Sequence, residues 1–183
     1  AFYMVGYYST TGTTLTIGIG VGSIGNYAFA YMEKLTAINF NANNGSYNSD
    51  DSLKGRGVAD LTANNNVFLN AGKRGSGITL TIGNGVTKIP AYMFNPANSK
   101  ATAPNIKTLK FDRTESICGT IGEYAFAFCS NIAGIMLPER ISSIGKYAFR
   151  YTESATAVAI ESTVTATIGE YAFDHCGVSG SDN

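Results

Sequence analysis

Tryptophan is absent from this 183-residue chain, histidine occurs once and proline four times. Charged side chains make up only 14%, against a usual level of about 25%. The 13 basic and 13 acidic residues cancel, so the basic excess needed for a general grip on nucleic acid or an anionic membrane is missing. No run of about 18 apolar residues occurs, so no membrane span is expected. No charged start followed by an apolar stretch marks a signal peptide within these residues. The three cysteines, Cys118, Cys129 and Cys176, are too few for a disulfide framework. With no Cys-x-x-Cys pair and a single histidine, no structural zinc site is expected.

What the chain does have is an apolar fraction of 44%, an aromatic fraction of 11% and 21 glycines, enough for one sizeable core. It also has internal repetition. The phrase Ile24-Gly25-Asn26-Tyr27-Ala28-Phe29 returns as Ile89-Pro90-Ala91-Tyr92-Met93-Phe94 and as Ile121-Gly122-Glu123-Tyr124-Ala125-Phe126. Two further copies end in Tyr147-Ala148-Phe149 and Tyr171-Ala172-Phe173. The phenylalanines are 65, 32, 23 and 24 residues apart, a base period near 23 with insertions upstream.

A second element alternates with the first and reads apolar-x-x-apolar-x-apolar: Leu35, Ile38, Phe40, then Ile106, Leu109, Phe111, then Ile132, Ile135, Leu137. A weaker copy is Ala155, Val158, Ile160, and two more end in Leu15-x-Ile17 and Leu80-x-Ile82. The alternation at the last two apolar positions predicts a short strand with every second side chain inward. The glycine of the phrase suits a tight bend, and Tyr-Ala-Phe fits one short helical or 3₁₀ turn. A unit of about 23 residues cannot close a core, and its apolar stripe is covered only when the next copy stacks on it. Successive strands then pair in parallel about 4.8 Å apart, and the phenylalanines form one buried ladder.

In Ile132, Ile135, Leu137, Pro138, Ile141, Ile144, Gly145, Ala148 and Phe149, with Cys129 and Cys176 three residues after Phe126 and Phe173, the chain resembles the BspA-like leucine-rich repeats, also called the Treponema pallidum type. The resemblance covers residues 12–176 apart from 41–76. It implies an α/β solenoid: a right-handed leucine-rich-repeat superhelix with a parallel sheet on the concave side and short helical or 3₁₀ turns opposite. It also implies a bacterial surface or secreted protein with roles in adhesion, matrix binding and co-aggregation. The expected organisation is one domain of about six units over 1–176, an irregular enlarged unit at 41–76 and a disordered tail at 177–183. Val67-Phe68-Leu69 reads as a degenerate remnant of the phrase.

Gly20-Val21-Gly22-Ser23-Ile24-Gly25 matches the dinucleotide-binding pattern Gly-x-Gly-x-x-Gly, but no long helix or acidic residue about 20 positions on accompanies it, so a repeat bend is the preferred reading. His175 stands at a position held elsewhere by Tyr31, Pro96, Phe128 and Tyr151, and reads as a replacement in a largely aromatic column, with no partner in view for catalysis. Cys129 and Cys176 are two layers apart, beyond disulfide reach, and read as packed thiols; Cys118 stays unassigned. Asn48, Asp50, Asp51 and Ser52 lack the order of a calcium loop. Asn44-Gly45-Ser46 fits a glycosylation acceptor. Lys73 and Arg74 form too small a basic spot for nucleic acid. No nucleophilic triad or carboxylate pair can be assembled, so neither enzyme activity nor a cofactor is expected. The column Tyr27, Tyr92, Tyr124, Tyr147, Tyr171 fits either a stacking platform for a sugar or protein or a rim of half-buried rings sealing the turn layer; the rim is preferred.

Two columns should point away from the core: Thr14, Ala37, Thr79, Thr108, Gly134, Ala157, and Thr16, Asn39, Thr81, Lys110, Met136, Ala159. Asn39, Thr81, Thr108, Lys110 and Met136 are the candidate partner-binding residues. The face lacks the Trp, Tyr and Arg of interface hot spots, which suits weak contact made many times over. The expected function is a non-catalytic cell-surface or secreted module binding a matrix or surface protein, without nucleic acid or membrane insertion. A structural spacer within a longer surface protein is the alternative.

Overall fold

The computed structural model describes residues 11–42, 58–95, 99–111 and 115–178. Its longer strands are β1 (Thr13–Ile17), β2 (Leu35–Phe40), β3 (Ile78–Ile82) and β5 (Ile106–Phe111), paired in parallel in the order β1-β2-β3-β5. β7 (Ile135–Met136) lies against β5 and forms a two-stranded parallel pair with β9 (Val158–Ala159). The apolar spacing is the observed register: Ile17, Phe40, Ile82 and Phe111 are partners, as are Leu15, Ile38, Leu80 and Leu109. Alternate side chains face inward, and Ile38, Phe40, Leu80 and Ile82 are fully buried.

A second parallel sheet, which the sequence reading did not anticipate, is made around the isoleucines that open the last four phrases, Ile89, Ile121, Ile144 and Ile168. Its strands are β4 (Lys88–Ile89), β6 (Thr120–Ile121), β8 (Ser143–Ile144) and β10 (Thr167–Ile168), in the order β10-β8-β6-β4. Two residues suffice for a strand here because a neighbouring coil holds each one in parallel register, on both sides for β6 and β8 and on one side for β4 and β10.

The layer expected to hold helical or 3₁₀ turns contains no helix among the described residues. It is a run of hydrogen-bonded turns. Around Phe126, the Ala125 amide donates to the Gly122 carbonyl, Ala127 to Tyr124 and Cys129 to Phe126. Tyr124 and Phe128 adopt left-handed backbone at φ 54° and 64°. The same pairing recurs as Tyr27 and Tyr31, Tyr147 and Tyr151, and Tyr171 and His175. A left-handed residue every fourth position stops a helix from winding and bends the chain into an arc. Such backbone costs an ordinary residue roughly 1–2 kcal/mol. Bonds to the next coil offset it: Tyr124 donates to Lys146, Phe126 to Ala148 and Phe128 to Arg150. In a helix these amides would bond within their own coil; here they join one coil to another.

The long interval between Phe29 and Phe94 contains a further arc. Asn66 and Asn70 hold its left-handed positions at φ 48° and 57°, a conformation asparagine tolerates well. Phe68 stacks between Phe29 and Phe94 at 5.3 and 5.2 Å. Val67-Phe68-Leu69 is therefore the remnant of the phrase, and residues 58–76 belong to the solenoid. Residues 43–57 of the expected irregular unit, 179–183 of the expected tail and 1–10 lie outside the described residues.

Among the described residues six phenylalanines thus form the ladder, continuing Phe94–Phe126 at 5.2 Å, Phe126–Phe149 at 5.1 Å and Phe149–Phe173 at 5.3 Å. Glycine in the regular phrases lets the coils come this close. A Cβ on Gly122 would lie 2.3 Å from the Ala91 amide nitrogen, and one on Gly145 2.5 Å from that of Glu123. Phe126 is fully buried between two rings, whereas Phe173 has a ring on one side and is partly exposed. Phe126→Ala is expected to lower unfolding free energy by about 3–5 kcal/mol and Phe173→Ala by less than half of that. Urea denaturation checks both, and equal midpoints for the two variants would contradict the ladder.

Candidate binding surface

The outward rows lie where the register puts them. Thr14, Ala37, Thr79 and Thr108 are partners across the four long strands, and so are Thr16, Asn39, Thr81 and Lys110. Met136 pairs with Ala159 in the adjoining two-stranded sheet. Four of the five candidate residues therefore share one sheet face, and Met136 stands in the next sheet along. Thr108 and Lys110 are exposed, Asn39 and Thr81 half-exposed, and Met136 is 38% exposed. The Asn39 amide donates to Thr16 Oγ1 at 3.4 Å. No side chain in the two rows of the long strands is aromatic, so the face is nearly flat.

The tyrosine column behaves as a rim. Tyr92–Tyr124, Tyr124–Tyr147 and Tyr147–Tyr171 have ring centroids 4.9, 4.7 and 5.4 Å apart. Each interior ring covers its neighbour, so the faces a sugar would stack on are occupied. Cations close the rim: Lys146 lies 4.9 Å from the Tyr147 ring, while Arg150 lies 5.0 Å from Tyr147 and 4.7 Å from Tyr151. Arg150 pairs with Asp174 at 2.8 Å, and Lys146 with Glu170 at 2.6 Å. The sequence reading missed this cluster. Its signal was Lys146-Tyr147 and Arg150-Tyr151, a cation beside each ring, with Glu170 and Asp174 one period later.

Burial raises the Tyr92 and Tyr124 hydroxyls above the usual tyrosine range. The Glu123 carboxylate and Tyr124 add to it for Tyr92; for Tyr124, Tyr147 adds and Arg150 partly opposes. His175 stacks on Tyr151 at 4.6 Å, with Nδ1 2.7 Å from Asp174 Oδ1. It occupies the aromatic column expected for it, extended from Phe128 to Tyr151 at 5.0 Å. All three thiols are free. Cys129 is fully buried and donates to the Phe94 carbonyl at 3.3 Å, Cys118 is also buried, and Cys176 is half-buried. Burial pushes the Cys118 thiol up to about 12 and raises Cys129 as well.

The Gly20–Gly25 stretch leads into a turn rather than a helix, so it lacks the helix N-terminus of a pyrophosphate site. Arg74 pairs with Glu33 at 2.5 Å, and Lys73 donates to the Lys100 carbonyl at 3.5 Å. Asn44, Asn48, Asp50, Asp51 and Ser52 lie outside the described residues. Among the described residues no group of three or more His, Cys, Asp or Glu could hold a metal ion, and no helix is long and apolar enough to cross a membrane.

The profile of the BspA type Leucine rich repeat region matches residues 3–100 and 75–179, in 6 copies. A leucine-rich repeat protein from Bacteroides ovatus ATCC 8483, known from a crystal structure, superposes on 97% of this chain with a TM-score of 0.61 at 20% identity. That likeness is one of fold, and the chain covers 38% of the length of that protein. No curated protein matches the sequence significantly.

Two predictions follow from the rim and the thiols. The folded tyrosine values lie above the unfolded value near 10, so their contribution to stability is whole below that pH and is lost as pH rises through the raised values. The urea midpoint should hold steady to about pH 9.5 and then fall, and Tyr92→Phe with Tyr124→Phe should flatten the fall. Thiolate is the reactive form, so iodoacetamide at neutral pH should modify native protein only at Cys176. Cys118 and Cys129 should react once urea unfolds the chain, as peptide mass spectrometry would show.

Proposed function

The chain belongs to the BspA type leucine-rich repeat family, and from that premise we propose that it is a non-catalytic recognition module. It is displayed on a cell surface or secreted, and it adheres to a protein partner of the extracellular matrix or of another cell. The observation that carries this reading is the outward face of the long strands. Thr14, Thr16, Thr79, Thr81 and Thr108 present hydroxyls at regular intervals, with Asn39 and Lys110 among them. Such a surface offers hydrogen bonds over a broad flat area and no deep pocket. Its affinity per site is low, and effective binding comes from many copies engaging together.

Arrays of the protein on beads or a sensor surface should bind a subset of matrix proteins saturably. Thr81→Arg, at the centre of the face, should weaken that binding at least about tenfold without moving the melting temperature. A panel of matrix proteins and glycans giving no saturable signal from the multivalent array would overturn the reading. Binding indifferent to Thr81→Arg and Lys110→Glu would move recognition off this face. The small side chains favour a second reading, a spacer that carries another domain, which predicts no binding by any part of this chain.

A further inference from the structure

Four phenols stand in file on the turn layer. The Tyr92–Tyr124, Tyr124–Tyr147 and Tyr147–Tyr171 rings lie 4.9, 4.7 and 5.4 Å apart, with planes 16°, 37° and 5° from parallel. Toward Tyr27 the file ends at Asn66, which holds the corresponding left-handed position and donates Nδ2 to the Tyr27 hydroxyl at 3.3 Å. The neighbouring column differs: Tyr151 lies between Phe128 and His175, neither of them a phenol. Tyr92, Tyr124 and Tyr147 are half-buried, packed by their neighbours on the ring faces and open along the outer edge, where each ring can swing about its Cβ.

The charges around the file are uneven. Lys146 and Arg150 sit 4.9 and 5.0 Å from the Tyr147 ring, and a cation held there opposes removal of an electron from that ring. Tyr92 has the opposite setting: the charged neighbour that acts on it is the Glu123 carboxylate. Tyr124 stands between the two, within reach of Glu123 and also of Arg150 and Lys146. An electron is therefore lost most readily at the Tyr92 end of the file, and the ring stacked on Tyr92 is Tyr124.

We propose that this file is a site of oxidative cross-linking, at which a peroxide-driven one-electron oxidant, of the class a haem peroxidase provides, joins Tyr92 to Tyr124 as dityrosine. Each ring loses one electron and one proton to become a phenoxyl radical. The two radicals form a carbon–carbon bond between the positions ortho to their hydroxyls, and the hydrogens at those carbons shift to the oxygens, restoring both phenols. The peroxide takes up the two electrons and two protons and leaves as two waters. Tyr92 and Tyr124 are 32 residues apart in the chain, so the bond staples one coil to the next across the turn layer and restricts the unfolded chain as a disulfide does. This goes beyond the recognition reading and does not depend on it.

The test is brief photo-oxidation of the dilute full chain with a ruthenium tris-bipyridyl complex and persulfate, a small one-electron oxidant that reaches half-buried rings. Tyr92, Tyr124 and Tyr147 fall on separate tryptic peptides, divided at Lys100, Lys110, Arg140 and Lys146, so mass spectrometry identifies each link. The expected product is a single chain with dityrosine fluorescence, whose Tyr92 and Tyr124 peptides are joined and lighter by two hydrogens. The same oxidation in denaturing urea should lose that preference. Tyr124→Phe keeps the stacked ring and removes the phenol, so it should fold as wild type does and lose most of the fluorescence, whereas Tyr171→Phe should keep it. Tyr92→Phe stands in should Tyr124→Phe fail to fold. Tyrosine consumed without a link inside the chain overturns the proposal, as does Tyr124→Phe fluorescing as strongly as wild type. A link found mainly at Tyr124–Tyr147 overturns the placement at Tyr92.

Discussion

The turn arc is the constraint on which the rest depends. A conventional helix would spend its amides on its own carbonyls and stand about 10 Å from its neighbour. Here left-handed residues at Tyr124 and Phe128, and at their counterparts in the other coils, turn alternate amides toward the next coil. The arcs then approach at close to strand spacing, so both sides of each coil repeat at one distance. Phenylalanine rings stacked at 5.1–5.3 Å fill the space between sheet and arc, and a ring is thick enough to fill one layer and no more. The strain of left-handed tyrosine is sustained by contacts that exist only between coils.

This accounts for how the sheet faces are used. With the large apolar side chains of the long strands directed inward, their outward rows are left with threonine, alanine, asparagine and one lysine. Tyrosines, the residues best suited to recognition, are occupied in stacking on one another and on Lys146 and Arg150. The chemistry that remains for a partner is hydroxyl and amide hydrogen bonding over an even surface, which gains strength by repetition. Buried thiols, a rim histidine in a ring stack and a glycine stretch that forms a bend all belong to the scaffold.

The sequence reading recovered the strands of the first sheet, their register and a ladder of Phe29, Phe94, Phe126, Phe149 and Phe173 from apolar spacing alone, because inward side chains must be apolar and their period is set by the coil. It placed Asn39, Thr81, Thr108 and Lys110 on one face for the same reason. It found only a trace of the arc at Phe68, since Asn66 and Asn70 keep the left-handed backbone without an aromatic ring. Asparagine meets the conformational demand through its tolerance of positive φ, and a search for Tyr-Ala-Phe does not see that equivalence.

By itself, the sequence determined that this chain is a stack of short coils sharing a core, because no unit of about 23 residues buries its own stripe. Only the tertiary structure decided that the turn layer is an arc rather than a helix, that a second sheet runs beneath the phrase and that Lys146, Arg150, Glu170 and Asp174 meet on the tyrosine rim. Each of those depends on groups in neighbouring coils coming within hydrogen-bond or ring-contact distance. A pattern along one coil specifies which side chains are apolar, but backbone left-handedness and cross-coil pairing are settled where two coils touch.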